Sequence, residues 1–256
     1  MLPDKDVLKR LQKILEESKY TVVLSGYGMT VESGYPALRD GDISYDIEQR
    51  YGYSTDELMH SSCFSTRKEL FYEFYRNEIL SALTIPPGKG YQIVAELQKR
   101  GFVQSIITKR FFGLSQRAGC ENVINLYGNV YENYCTHCGR KYSMEYVRDA
   151  KKVPLCESCH MPIRPNIVLI GEAIDNAVMT RAAAEVEKAD VLLILGTKLT
   201  SNLCRQLTGY YKGKKLILIT LYPHYSDQLA DFVINERVDK TLEALMECMN
   251  ESKENE

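Results

Sequence analysis

The chain has 256 residues, 45% hydrophobic and 26% charged, with 16 Gly and 8 Pro. That length suits one large α/β domain carrying a smaller one, with a core that needs no disulfides. The mixed composition excludes disorder, collagen-like repeats and coiled coil as the main character, and no 18-residue apolar run offers a membrane span. The net charge of −2, from 32 basic and 34 acidic residues, gives no general electrostatic grip on nucleic acid or anionic membrane. Neither is an expected partner. The opening MLPDKDVLKRLQKILEES carries charges throughout and does not read as a secretion signal, so a cytoplasmic protein is expected.

Val7, Leu8, Leu11, Ile14 and Leu15 recur at helical spacing, with Asp4 or Asp6 available as a cap. Thr21 to Leu24 form an apolar, β-branched run suited to a buried strand, which ends in the glycine turn Ser25-Gly26-Tyr27-Gly28. A strand, a glycine turn and a helix open a nucleotide-binding α/β unit. Further strand-like runs lie at 103–107, 123–124, 191–195, 216–219 and 232–234, with helical patterns at 91–99 and 177–188. This alternation predicts an α/β fold with a parallel sheet covered on both faces. Two stretches break the rhythm: 41–85 is polar, tyrosine-rich and mostly helical in pattern, and 131–164 has little regular period. The expected organisation is a large domain of 1–40, 86–130 and 165–248, and a small domain of helical module 41–85 and zinc-ribbon module 131–164. A charged, frayed tail is expected over 249–256.

Four of the eight cysteines stand in two pairs, Cys135-x-x-Cys138 and Cys156-x-x-Cys159, seventeen residues apart. Each CxxC turn presents two sulfurs to one ion, and four thiolates make a closed tetrahedral zinc site. Few apolar residues surround them, so the metal supplies folding energy that the segment lacks. With no position open for water, such a zinc is structural. The alternative is two redox dithiols or unrelated thiols.

The glycine turn continues as Ser25-Gly26-Tyr27-Gly28-Met29-Thr30-Val31-Glu32-Ser33-Gly34-Tyr35-Pro36-Ala37-Leu38-Arg39. With Gly113 to Gly119, Asn125-Leu126-Tyr127-Gly128, the cysteine knuckles, Ile163 to Glu172 and Ala189 to Thr197, this resembles the sirtuins, the NAD-dependent protein deacylases. The order holds over about residues 5–245. The resemblance implies a large Rossmann-like domain and a small domain made of a zinc ribbon and a helical module, an NAD cleft between them, and an acyl-lysine peptide added as a strand beside Gly171-Glu172. It places Gly26, Tyr27, Gly28, Glu32, Leu38, Arg39, Lys109, Arg110, Phe112, Gly196, Thr197, Lys198 and Thr220 at the cofactor.

Several of these positions depart from the family pattern. The family's general-base histidine is Tyr127 here, and a phenol with a pKa near about 10 is ionised in only about one molecule in a thousand at pH 7. The family's Gln-Asn-Ile-Asp is Lys109-Arg110-Phe111-Phe112. Tyr27 replaces an alanine, Tyr35 an isoleucine, Leu38 a phenylalanine, Lys198 a serine and Thr220 an asparagine. Three readings of the cleft stay open. It is remodelled to bind a nucleotide, an ADP-ribose derivative or another phosphate-bearing small molecule without ordinary deacylation. It is filled and ligand-free, leaving a peptide-binding module. Or it turns over NAD, as a deacylase or ADP-ribosyltransferase, by a non-standard arrangement. Cys120 and His60 are expected to be packing residues.

Overall fold

The structure, a computed structural model, describes residues 3–254. Helix α1 (Lys5–Glu17) buries Leu8, Leu11 and Leu15, and the Asp4 carboxylate accepts the Asp6 amide at 3.1 Å at its start. Strand β1 (Thr21–Ser25) is buried throughout and leads through Gly26 into the short α2 (Tyr27–Glu32). A helical run follows: α3 (Gly41–Tyr51), α4 (Thr55–Leu58), α5 (Ser61–Thr66), α6 (Lys68–Phe74), a π-helical turn Tyr75–Leu80 and a 3-10 turn Ser81–Thr84. The chain returns to the sheet with α7 (Lys89–Lys99), β2 (Ser105–Thr108), α8 (Leu114–Arg117) and β3 (Val123–Asn125). A second excursion holds β4 (Gly128–Cys135), β5 (Lys141–Tyr142), α9 (Met144–Asp149) and β6 (Ile163–Ile167). The remainder is α10 (Asn176–Lys188), β7 (Val191–Leu195), α11 (Asn202–Thr208), β8 (Lys215–Ile219), a 3-10 turn Tyr225–Leu229, β9 (Phe232–Ile234) and α12 (Val238–Glu254).

The large sheet has the order β3-β2-β1-β7-β8-β9, and every neighbouring pair in it is parallel. Successive side chains point to opposite faces. Val23, Leu193 and Ile217 therefore join the core that contains Leu11 of α1 and Leu97 of α7, whereas Val22, Leu192 and Leu218 pack with Val186 of α10 and Leu207 of α11. Burial on both faces is why these strands read as unbroken apolar runs. The sheet makes its switch between β1 and β7, and strands on either side of it send their C-terminal ends to one edge. Ligands of open α/β sheets sit at such an edge.

Three details differ from the sequence expectations. The strand expected from Val103 starts at Ser105, because Gln104 turns its side chain to accept the Thr21 amide at 2.6 Å and the ladder begins at Val22 beside Ser105. The segment 131–164, expected to have little regular structure, lies in a three-stranded antiparallel sheet, β5-β4-β6, whose outer ends extend past both limits. The tail expected to fray from 249 is helical through Glu254, because Met249 is buried and Asn250 accepts from Arg100 at 2.9 Å. Residues 255–256 lie outside the described residues.

The two excursions meet. Tyr72 donates its hydroxyl to the Ile163 carbonyl, Arg76 donates to the Lys152 carbonyl at 2.9 Å, and the Arg164 guanidinium lies 5.3 Å from the Phe64 ring centroid. Phe71, Tyr72, Phe74 and Tyr75 are fully buried and belong to the same core as Val23 and Leu193. The helical module is thus anchored to both the sheet and the β6 strand.

Glu32 ties the ends of the chain together: its carboxylate accepts the amides of Val238 at 3.1 Å and Asp239 at 2.8 Å, at the start of α12. A side chain that satisfies the open amides of a helix start is worth about 1–2 kcal/mol. Glu32→Ala is expected to lower stability by that amount in urea unfolding, with the fold unchanged by circular dichroism.

Candidate functional site

A cleft of about 530 Å³ opens at the C-terminal edge of the sheet. Its walls are Tyr27, the loop 36–40, Met59 and Ile79 of the helical run, 110–112 after β2, Tyr127, and 168–172 after β6. The turn after β1 is pressed onto the loop after β7. Gly26 donates its amide to the Leu195 carbonyl at 2.9 Å, and Gly28 to Gly196 at 2.8 Å. A Cβ on Gly26 would stand 2.4 Å from the Thr197 Cβ, and Gly196 has a φ of 62°. The glycines thus serve backbone-to-backbone packing, and the Gly26 and Gly28 amides are spent on it.

The cations of the β2 end behave differently from one another. Lys109 turns away over the end of β1 and donates to the hydroxyls of Thr197 at 2.7 Å and Ser201 at 2.8 Å. Burial lowers its pKa, with adjacent Arg110 adding to the effect and Cys204 opposing it. Arg110 lines the cleft inside an aromatic sleeve, its guanidinium carbon 5.2 Å from the Tyr27 ring centroid and 5.7 Å from those of Phe111 and Phe112. Its buried Nε has no hydrogen-bond partner. Burial lowers its pKa as well, though a guanidinium stays charged. Arg39 instead pairs with Asp56 at 2.6 Å on the surface.

The loop after β6 is fixed from three sides. Val168 donates to the Tyr127 carbonyl at 3.0 Å, Ile170 exchanges backbone hydrogen bonds with Met59 and Ser61, and Glu172 pairs with Arg164 at 2.5 Å. Glu172 also accepts the Leu169 amide at 2.9 Å. His60 caps α5 through Nδ1, which accepts the Ser62 amide at 3.1 Å.

The cysteines converge as their spacing predicts. All four Sγ atoms of Cys135, Cys138, Cys156 and Cys159 lie within 4.8 Å of one another, with separations of 3.4, 3.6 and 3.8 Å among them. A tetrahedral zinc with bonds of about 2.3 Å needs sulfur–sulfur edges of roughly 3.8 Å. The donor set therefore fits structural zinc. The Tyr142 hydroxyl donates to Cys156 Sγ at 3.1 Å and favours the thiolate that a cation requires.

The Sir2 family profile matches residues 26–202, more than half the chain. The chain belongs to the Sir2 family. An "NAD-dependent protein deacetylase" of Clostridium acetobutylicum is 31% identical over 242 residues, covering 94% of this chain and 98% of that protein. Among solved structures, a Sir2 complex with p53 peptide and NAD+ superposes with a TM-score of 0.83 at 30% identity, covering 95% of this chain and 98% of that one. A Sir2 mutant with tyrosine in place of a histidine, in complex with p53 peptide and NAD, has a TM-score of 0.81 at 30% identity, with the same coverage. No helix among the described residues is long and apolar enough to cross a membrane.

Of the residues expected at the cofactor, Tyr27, Leu38, Arg39, Arg110 and Phe112 line this sirtuin cleft with Tyr127. Gly26, Gly28, Gly196 and Thr197 build its end without lining it. Glu32, expected among them, faces α12 instead, because its carboxylate is taken by two helix-start amides. Lys198 is exposed, and Thr220 is buried where its amide donates to the Ile234 carbonyl at 3.1 Å. Phe112 is 3% exposed and packs on Tyr35 with centroids 4.8 Å apart, so it is core as much as wall. Sequence reasoning missed Met59, Ile79 and Ser201, whose roles come from distant segments with no local signature. Cys120 is buried as expected, and burial raises its pKa to about 11.

Two outcomes follow from these assignments. Chelation of the metal, or Cys156→Ser, should lower the thermal midpoint and expose the small domain to protease, read by calorimetry and limited proteolysis. Because burial holds the Lys109 pKa below its unfolded value, the unfolded state binds more protons between the two. Stability therefore rises with pH across that alkaline window, and the penalty of the buried charge is full below it. Lys109→Met is expected to flatten this rise in urea unfolding run from neutral pH to about pH 10.

Proposed function

We propose that the chain is an NAD-dependent protein deacylase of the sirtuin class that works without the usual histidine. The observation that carries this reading is the open cleft, with Tyr127 and Arg110 on its walls and the loop 168–172 held rigidly at its mouth. In support, a similar chain with tyrosine replacing a histidine forms a complex with peptide and NAD. The end-to-end relative is named as a deacetylase. Bound NAD supplies an activated ribosyl carbon with nicotinamide as the leaving group. The chain's part is to hold the acyl-lysine beside loop 168–172, to exclude water with Phe112 and Met59, and to offer the Tyr127 hydroxyl as the proton-handling group.

A second reading, nucleotide binding without turnover, is favoured by Arg110, a guanidinium on the cleft wall that no acid pairs with. The assay is peptide-dependent nicotinamide release from NAD by the zinc-loaded protein, using an acetyl-lysine peptide. Under the first reading the wild type turns over, and Tyr127→Phe loses about a hundredfold, the usual worth of one proton-transfer group. Absence of turnover in a protein that binds NAD, with activity appearing in Tyr127→His, supports the second.

A further inference from the structure

The two basic residues at the end of β2 solve one electrostatic problem differently. Lys109 finds two hydroxyls. Arg110 finds three aromatic faces and no acid: no ion pair among the described residues includes it, and its Nε is buried without an acceptor. Aromatic faces stabilise a guanidinium and fix its orientation, yet they leave its N–H groups without acceptors. The other charges around the cleft do not correct this. Glu172 is engaged by Arg164, Arg39 is paired with Asp56 on the surface, and Asp40, which also lines the cleft, is exposed and makes no ion pair with Arg110 among the described residues. The inner wall is left with a guanidinium that no acid pairs with, in a place shielded enough for its charge to count.

We propose that Arg110 makes the cleft select its nucleotide by charge, holding an ADP-ribose-type nucleoside diphosphate more tightly than the pyridinium dinucleotide NAD+. The inference rests on a nucleotide occupying this cleft, which both readings above require. Each diphosphate brings acceptors and negative charge to a guanidinium that lacks them. NAD+ additionally brings a fixed ring cation, which a cationic wall repels, whereas ADP-ribose and the reduced dinucleotide NADH do not. For an enzyme, the consequence is that the ADP-ribosyl product formed once nicotinamide departs leaves the cleft more slowly than unreacted NAD+ does. For a non-catalytic protein, ADP-ribose is the ligand.

The experiment is titration calorimetry of the zinc-loaded protein with NAD+, NADH and ADP-ribose at one low ionic strength, for wild type, Arg110→Met and Arg110→Lys. Thermal melts confirm that each variant is folded. ADP-ribose and NADH are expected to bind at least about tenfold more tightly than NAD+, a difference of about 1.4 kcal/mol. Arg110→Met, which keeps a long side chain in the sleeve, should cut that ratio below about threefold, and Arg110→Lys should retain most of it. Equal affinity for NAD+ and ADP-ribose in the wild type overturns the inference while leaving nucleotide binding intact, as does a ratio that Arg110→Met does not change. Failure of all three nucleotides to bind overturns the inference and the cleft's nucleotide role together.

Discussion

The architecture turns on one close backbone approach, where the loop after β1 lies directly against the loop after β7. Two amide-to-carbonyl bonds of 2.9 and 2.8 Å close it, and only glycine permits it, because a Cβ on Gly26 would overlap Thr197. This contact spans the switch point of the sheet, so it fixes where the C-terminal ends of β1, β2 and β7 lie relative to one another. Lys109 reinforces it, reaching from the end of β2 across β1 to Thr197 and Ser201. Once that corner is closed, the chain after Lys109 has one direction to take, which delivers Arg110 and Phe112 to the cleft wall.

The corner also explains why two neighbouring cations have such different surroundings. A buried ammonium is a point charge satisfied by a few hydroxyls, and the corner supplies them. A guanidinium is flat and weakly hydrated, and rests well against rings. Tyr27 and Phe112 both face the Arg110 guanidinium. Tyr35 packs on Phe112 and donates its hydroxyl to the Ile85 carbonyl. These side chains form one contiguous group, an aromatic and cationic wall of the cleft.

The small domain holds the other wall through different physics. Its helical run is an aromatic core continuous with that of the large domain, so hydrophobic burial holds it. The cysteine module adds Val130, Met144, Val147 and Ile163 to that core, and four converging thiols and a short antiparallel sheet organise its outer end. Tyr72 and Arg164 join the two, and Arg164 also holds Glu172 in the loop at the cleft mouth. A disturbance of the cysteine site therefore has a short covalent and ionic route to the cleft, through β6.

Much was legible in the sequence because it depends on local rules. Apolar runs flanked by helical periods specify a parallel sheet buried on both faces, CxxC pairs specify a four-sulfur site, and the motifs from Gly26 to Thr197 specify the Sir2 family. The expected frayed tail failed because Met249 and Asn250 are held by partners far away in sequence, which no local pattern encodes. The partners of Glu32 are hidden from local pattern for the same reason, since the amides it accepts lie some two hundred residues away. Charge told least of all. Lys109, Arg110 and Lys198 are equally basic in sequence, yet tertiary structure makes one a corner strut, one an unpaired cation in the cleft and one a solvated side chain. A side chain's charge is a property of the residue, but its partners and its shielding from water are properties of the fold.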